Sequence, residues 1–179
     1  GSIMTVPDVE KRLKAIQSRG GKVVVVDPRR SETAAMADQH LFVRPGGDAA
    51  LLFGLLNTLF AENLTRDSHL PVDGLDDVRQ AIATFNAEAM SPLCAGPAEQ
   101  IRQLARDFAA APTAVCYGRM GVSTQAFGTL CHWLVQLINL VTGNLDQVGG
   151  ALCTEPAVDL VGSTSGGHFN RWQSRVSGR

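Results

Sequence analysis

The hydrophobic pattern of the chain is dominated by an unbroken valine run at residues 23–26, which follows a glycine pair and ends at Asp27. A continuous apolar run of this length, bounded by turn residues, is typical of a strand buried on both faces, as in a parallel sheet. We therefore predict a strand over residues 22–27. Shorter apolar runs predict two further strands, over residues 41–43 and 113–117.

Apolar residues recur at helical spacing through most of the remaining chain. This periodicity predicts helices over residues 5–19, 31–36, 48–63, 74–85, 87–94, 97–110 and 123–141. Thr5, Ser31 and Asp48 are suitable N-caps for three of these helices. The order of strands and helices indicates an α/β fold with a mainly parallel, doubly wound sheet (Rossmann-like), incomplete because the chain reads as an excised domain.

Composition and charge exclude several kinds of partner. The chain has 179 residues, of which 45% are hydrophobic and 18% charged, and its formal net charge is −1. No global field therefore attracts nucleic acid, and the longest apolar stretches contain polar residues, so we expect no nucleic-acid partner and no direct membrane insertion. The four cysteines are widely spaced and form no CxxC pair, so no metal site is expected within this chain.

The end of the first predicted strand is the first candidate ligand site, because ligands of open α/β sheets bind beyond the carboxyl ends of the strands. An acidic residue there can accept the hydroxyl groups of a ribose, and adjacent arginines can face phosphates. The candidate residues are Asp27, Pro28, Arg29, Arg30 and Ser31. The local pattern fits equally well a solvated turn whose Asp and Ser cap the next helix.

A second candidate site consists of Gly46, Gly47 and Asp48. Glycines let a ligand approach the backbone, and a carboxylate can accept both N1–H and N2–H of a guanine. The spacing alone favours a plain N-cap role for the aspartate. Arg119 and Met120 follow the third predicted strand, where Met120 either packs on a flat heterocycle or belongs to the core.

No GxGxxG motif precedes these residues, which counts against an NAD(P)-dependent enzyme. No Ser–His–Asp arrangement or carboxylate pair is evident either, so we assign no catalytic residue. From the residues alone, a stand-alone nucleotide-binding or sensory α/β module without catalytic activity is a complete alternative to a part of an enzyme.

Two stretches taken together resemble a known family. They read VVVVDPRRSETAAMADQHLFVRPGGDAALLFGLLNTLFAEN and YGRMGVSTQAFGTLCHWLVQLINLVTGNLDQVGGAL. Their DPRR turn, PGxD helix start and TGNLDQVGG ending occur in the order found in molybdopterin oxidoreductases that carry bis(molybdopterin guanine dinucleotide). This is the group of formate dehydrogenase, nitrate reductase and dimethyl sulfoxide reductase.

The resemblance implies a role for each candidate residue in binding that cofactor. Residues 27–31 would surround the ribose and phosphates, and Gly46, Gly47 and Asp48 would lie at the guanine. Arg119, Met120 and Thr124 would approach the pterin. The parent protein would be a molybdenum-dependent oxidoreductase, either a dehydrogenase or a reductase.

The chain also lacks features of that family, which suggests a fragment. It has no iron–sulfur segment and no residue matching the molybdenum ligand, so we place the iron–sulfur cluster of the parent outside this chain. We expect residues 1–152 to be the central cofactor-binding domain and residues 153–179 to be an extended segment that leads to a missing part. The isolated fragment is expected to bind no cofactor and to be inactive.

The same resemblance implies the partners of the fragment. They are the molybdopterin cofactor, the remaining domains of the parent and its electron-transfer subunits. Apolar surface left by absent domains would favour self-association. A cytoplasmic location is favoured, with a periplasmic parent as the alternative, and the substrate cannot be read from this chain.

Overall fold

The computed structural model describes residues 2–153 of the chain, so the predicted extended segment lies almost entirely outside the described residues. A two-stranded sheet consists of β1 (Val24–Val26) and β2 (Gln39–Leu41). The helices are α1 (Ser2–Thr5), α2 (Val9–Ser18), α3 (Glu32–Met36), α4 (Asp48–Ala61), α5 (Leu75–Ala81), α6 (Ala87–Cys94), α7 (Ala98–Ala110), α8 (Met120–Ser123) and α9 (Gly128–Val141). None of these helices is long and apolar enough to cross a membrane.

The two strands are parallel and are joined by α3, so their carboxyl ends lie at the same edge of the sheet. Val24 pairs with Gln39 and Val26 with Leu41. The second strand therefore begins two residues before the predicted one, because the backbone N–H of Gln39 donates to the carbonyl of Val23 at 3.2 Å. The fold is thus a helix-rich α/β arrangement, and within residues 2–153 the doubly wound sheet that we predicted is reduced to one parallel pair.

The third predicted strand, over residues 113–117, is wrong: this segment forms no strand. Two asparagine side chains bind its backbone instead. Asn139 of α9 accepts from the N–H of Cys116 at 2.8 Å and donates to the Cys116 carbonyl at 2.9 Å, and Asn144 accepts from the N–H of Ala114 at 3.0 Å. The amides replace a neighbouring strand along this side of the segment.

The hydrophobic core is helical and is built around α4. This helix packs against α6, α7 and α9. Its residues Leu56 and Leu59 are fully buried, as are Leu134 and Ile138 of α9. The dense apolar pattern of residues 48–63 correctly predicted a buried helix, and β1 and β2 lie beside this core rather than inside it.

Three helices start differently from the prediction. The first predicted helix is divided at Asp8, which has a left-handed φ of 56°, so α2 starts at Val9. Gly47 rather than Asp48 occupies the N-cap of α4. The helix predicted from residue 123 is interrupted, and α9 starts at Gly128, where a Cβ would lie 2.3 Å from the carbonyl oxygen of Ser123.

Arg66 connects the carboxyl ends of two core helices. Its guanidinium donates to the carbonyl of Ala109, in the last turn of α7, at 2.6 Å, and to the carbonyls of Ala111 and Pro112, just after that helix, at 3.0 Å and 3.4 Å. Its backbone N–H donates to the carbonyl of Val141, the last residue of α9, at 2.8 Å. One loop residue after α4 thus ties α7 and α9 together.

Candidate functional site

The carboxylate of Asp27 organises the turn that follows β1. Its Oδ1 accepts from the backbone N–H of Arg29 at 2.8 Å, and its Oδ2 accepts from the hydroxyl of Ser31 at 3.3 Å. Ser31 is buried, and its Oγ accepts from the N–H of Ala34 at 3.4 Å, as predicted for an N-cap. The turn is therefore shaped by its own side chains, while each oxygen of Asp27 keeps lone pairs for another donor.

Three arginines carry positive charge at the carboxyl edge of the sheet. Arg29 and Arg30 follow β1 and are exposed together with Pro28, and the exposed Arg44 comes shortly after β2. Within residues 2–153 their guanidinium groups make no hydrogen bond or ion pair. Sequence reasoning did not select Arg44, although its position just beyond the second strand was a usable signal.

The two glycines of the second candidate site have different roles. Gly46 has φ of 80°, which favours glycine, and a Cβ there would meet no atom within 4 Å. Gly47 is buried, and a Cβ there would lie 2.8 Å from the Cα of Cys94 at the end of α6. The turn is held against α6 because the N–H of Arg44 donates to the Cys94 carbonyl at 2.8 Å. Gly47 thus serves close packing, whereas Gly46 leaves open space.

Asp48 is bound from a distant part of the chain. Its Oδ2 accepts from Nε2 of Gln125 at 2.8 Å, and it makes no capping bond to its own helix. The pKa of the fully buried Cys131 thiol is raised by burial and, to a smaller degree, by the negative charge of Asp48. The carboxylate thus lies between the start of α4 and the loop that connects α8 to α9. Nothing in the local pattern indicated Gln125.

The residues predicted to approach the pterin lie in and around α8. Met120 is 70% exposed, so it is not a core methionine. The hydroxyl of Thr124 donates to the Met120 carbonyl at 2.9 Å, and the guanidinium of Arg119 contacts the hydroxyl of Tyr117 at 3.4 Å. Thr124 is adjacent to Gln125, which places the end of this segment beside Asp48.

The predicted residues thus form two groups. The first group consists of residues 27–31 and 46–48, which follow strands that end at the same edge of the sheet. The second group lies around α8, and the bond between Asp48 and Gln125 joins it to the first. In residues 2–153, no three His, Cys, Asp or Glu side chains come together in a way that could hold a metal ion. The arrangement is suited to binding a charged, hydroxyl-bearing ligand.

Comparison with known proteins identifies the family. A family model described as molybdopterin oxidoreductase matches residues 5–176. The chain belongs to the molybdopterin oxidoreductase family. Membership implies a molybdenum–pterin cofactor and confirms the resemblance to the formate dehydrogenase, nitrate reductase and dimethyl sulfoxide reductase group.

Named members of this molybdopterin oxidoreductase family match most of the chain. The nitrate reductase of Klebsiella oxytoca is 32% identical over 132 residues, which is 72% of this chain and 14% of that protein. Formate dehydrogenase H of Escherichia coli is 29% identical over 143 residues, covering 79% of this chain and 20% of the relative. The dimethyl sulfoxide/trimethylamine N-oxide reductase of Cereibacter sphaeroides is 30% identical over 151 residues, which is 77% of this chain and 18% of that protein. The chain therefore spans a fifth or less of the length of each.

A solved structure has a similar fold. Acetylene hydratase from Pelobacter acetylenicus superposes with a TM-score of 0.70 at 26% sequence identity, over 79% of this chain and 19% of that one. The relatives above are named as reductases and a dehydrogenase, whereas this neighbour is named as a hydratase. The shared fold is therefore compatible with more than one reaction.

Proposed function

We propose that this chain is the part of a molybdenum-dependent oxidoreductase that binds the guanosine end of a molybdopterin guanine dinucleotide. The observation that carries the proposal is the way in which the Asp48 carboxylate is bound. The plain N-cap role is excluded because Gly47 is the N-cap, and Gln125 holds the carboxylate from a separate loop. A carboxylate oxygen can accept two hydrogen bonds, so Asp48 keeps acceptor sites for N1–H and N2–H of a guanine.

The neighbouring residues fit the other parts of a dinucleotide. The guanidinium groups of Arg29, Arg30 and Arg44 make no hydrogen bond or ion pair within residues 2–153 and are suited to phosphate oxygens. Asp27 retains lone pairs for ribose hydroxyls while its turn stays ordered. Gly46 leaves room for close approach. Arg119, Met120 and Thr124 would face the pterin, and Pro28, Ser31 and Gly47 would support these positions by shaping the two turns.

When bound, the molybdenum–pterin group supplies the two-electron chemistry. The residues of this chain would hold and orient the nucleotide end and would take no part in bond making. We further propose that residues 1–152 form one central α/β domain of a longer protein, in which other strands complete a doubly wound sheet. The molybdenum ligand, the iron–sulfur cluster and the electron-transfer partners would lie elsewhere, and the isolated chain would be inactive.

The test compares the affinities of GDP and ADP for the 179-residue chain, measured by NMR chemical-shift titration. We expect GDP to bind more tightly, because adenine offers a carboxylate no pair of adjacent donors. Asp48→Asn should reduce the preference for GDP by about tenfold, since the amide nitrogen cannot accept.

Arg30→Ala provides the matched comparison. It should weaken the binding of GDP and ADP equally and leave the ratio of their affinities unchanged. Equal binding of GDP and ADP by the unchanged chain would contradict the proposal. Tight binding of both would instead favour a stand-alone nucleotide-binding module.

A further inference from the structure

The amide of Gln125 is held in one orientation. An ionised carboxylate has acceptors and no donor, so the amide must present its Nε2 to Asp48. Rotation of the amide by half a turn would place two oxygens against each other. The chemistry of the pair therefore fixes which end of Gln125 faces the carboxylate.

This orientation leaves the other end of the amide unsatisfied. The Oε1 of Gln125 is buried and has no hydrogen-bond partner within the described residues. A buried acceptor without a partner destabilises the folded state, because it loses its bonds to water and gains none in return. An apolar side chain of similar length would fill the same space without this loss.

A purely structural role for Gln125 is therefore a poor explanation. The bond joins residues 77 apart in sequence, and a residue selected for stability alone would not leave its oxygen unpaired. The choice of an amide has a further effect. An amide donates a hydrogen bond without a positive charge, so Asp48 is oriented and keeps its full negative charge for another donor.

We propose that Gln125 is a positioning residue that orients the Asp48 carboxylate toward the nucleobase and thereby sets the preference for guanine. This inference rests on the proposed function, since it requires that Asp48 contacts the base. Gln125 would thus influence specificity through its contact with Asp48 and not through a contact with the nucleotide.

The experiment measures nucleotide preference and stability in the same variant. Gln125→Leu removes both the bond to Asp48 and the unpaired oxygen. We expect the GDP-to-ADP affinity ratio to fall about tenfold, while the urea midpoint of unfolding stays equal or rises. A residue with a structural role alone would show the opposite result, with a lower midpoint and an unchanged ratio.

Gln103→Leu is the matched control. Gln103 donates to the carboxylate of Asp107 at 2.6 Å on the exposed face of α7, so the chain contains a second Gln–Asp pair remote from Asp48. We expect this variant to leave the affinity ratio unchanged.

Gln125→Glu gives an independent measurement by placing a second carboxylate beside Asp48. The GDP preference should be lost at neutral pH and recover in part in mildly acidic buffer, where the new carboxyl group is protonated and can donate. A ratio insensitive to pH in this variant would contradict the positioning role.

The outcomes separate this inference from the proposed function. Absence of any GDP preference in the unchanged chain overturns both. A preference that is lost in Asp48→Asn but retained in Gln125→Leu overturns the positioning role alone.

Discussion

The thiol of Cys116 lies between the core and the loop that leads to α8. It is partly buried against the core, and the side chain of Asn139 binds both the backbone N–H and the carbonyl of the same residue. Burial raises the pKa of the Cys116 thiol to about 12. The thiol is therefore protonated at neutral pH and suited to packing rather than to nucleophilic or metal chemistry.

This thiol makes stability dependent on alkaline pH. Below the ordinary thiol pKa of 9.0 both the folded and the unfolded chain keep the proton, and the contribution of Cys116 is fully present. Between there and about 12 the unfolded chain releases the proton while the folded chain retains it, so the free energy of unfolding falls by at most ~1.4 kcal/mol for each pH unit. Urea unfolding at a series of alkaline pH values should show a shallower decline in Cys116→Ala.

Cys153→Ala is the control for this effect, because Cys153 is exposed. Its stability should fall with pH as steeply as that of the unchanged chain. Parallel pH profiles for Cys116→Ala and the unchanged chain would show that Cys116 ionises normally in the folded protein.

Ser31 and Asp48 show which single residues could be interpreted from sequence. The partner of the Ser31 hydroxyl is the N–H of Ala34, three residues away, so a local pattern was sufficient to predict the cap. The partner of Asp48 is Gln125, 77 residues away. No local rule contains that contact. Asp48 could therefore be selected as a candidate site residue from the sequence, but its bond to Gln125 could not be predicted.

At the scale of elements, the segment of residues 113–117 differs most from its prediction. Its composition is that of a strand, yet the groups that bind it are the side chains of Asn139 and Asn144. A pattern of apolar residues predicts extended backbone but does not specify which chemical group will pair with it. The helices were predicted more successfully because their hydrogen bonds are internal. The errors there are shifted ends and the two short helices α1 and α8, which were not predicted as separate elements.

Removal of the Asn139 side chain should release this segment from α9. Asn139 is fully buried, and Asn139→Ala would leave the N–H and the carbonyl of Cys116 without their partners. We expect a loss of roughly 2–4 kcal/mol in the free energy of unfolding, measured by urea denaturation. Gln136→Ala on the exposed face of the same helix should change stability by less than ~0.5 kcal/mol. Equal effects of the two substitutions would mean that water replaces the amide.

At the scale of the whole molecule, large apolar side chains remain exposed around α8 and the start of α9. Their side chains are 47–70% exposed. In the same segment, the ring of His132 lies beside Gly118 and makes a hydrogen bond to the hydroxyl of Ser123 at 2.8 Å. The apolar residues are Tyr117, Met120, Phe127 and Trp133. We call this set the α8 surface. Exposed apolar side chains that form a continuous patch favour contacts with other molecules.

We predict that the isolated chain self-associates through the α8 surface as its concentration rises. Sedimentation velocity should detect larger species that become rarer in the double variant Met120→Gln, Phe127→Gln, because polar side chains remove the gain from burying this surface. Met4→Gln is the control, since Met4 is 78% exposed but lies on α1. Equal association of all three proteins would place the contact elsewhere.

The contacts of Arg66 determine when the core can close during synthesis. Its three carbonyl partners lie 43, 45 and 46 residues further along the chain, and Val141 follows later still. The apolar helix α4 leaves the ribosome before α6, α7 and α9, the helices that cover it. Until those helices have been made, α4 is an uncovered apolar segment followed by an unbound arginine. During this interval the exposed apolar face of α4 is prone to aggregation, and a chaperone that covers it would raise the yield of folded chain.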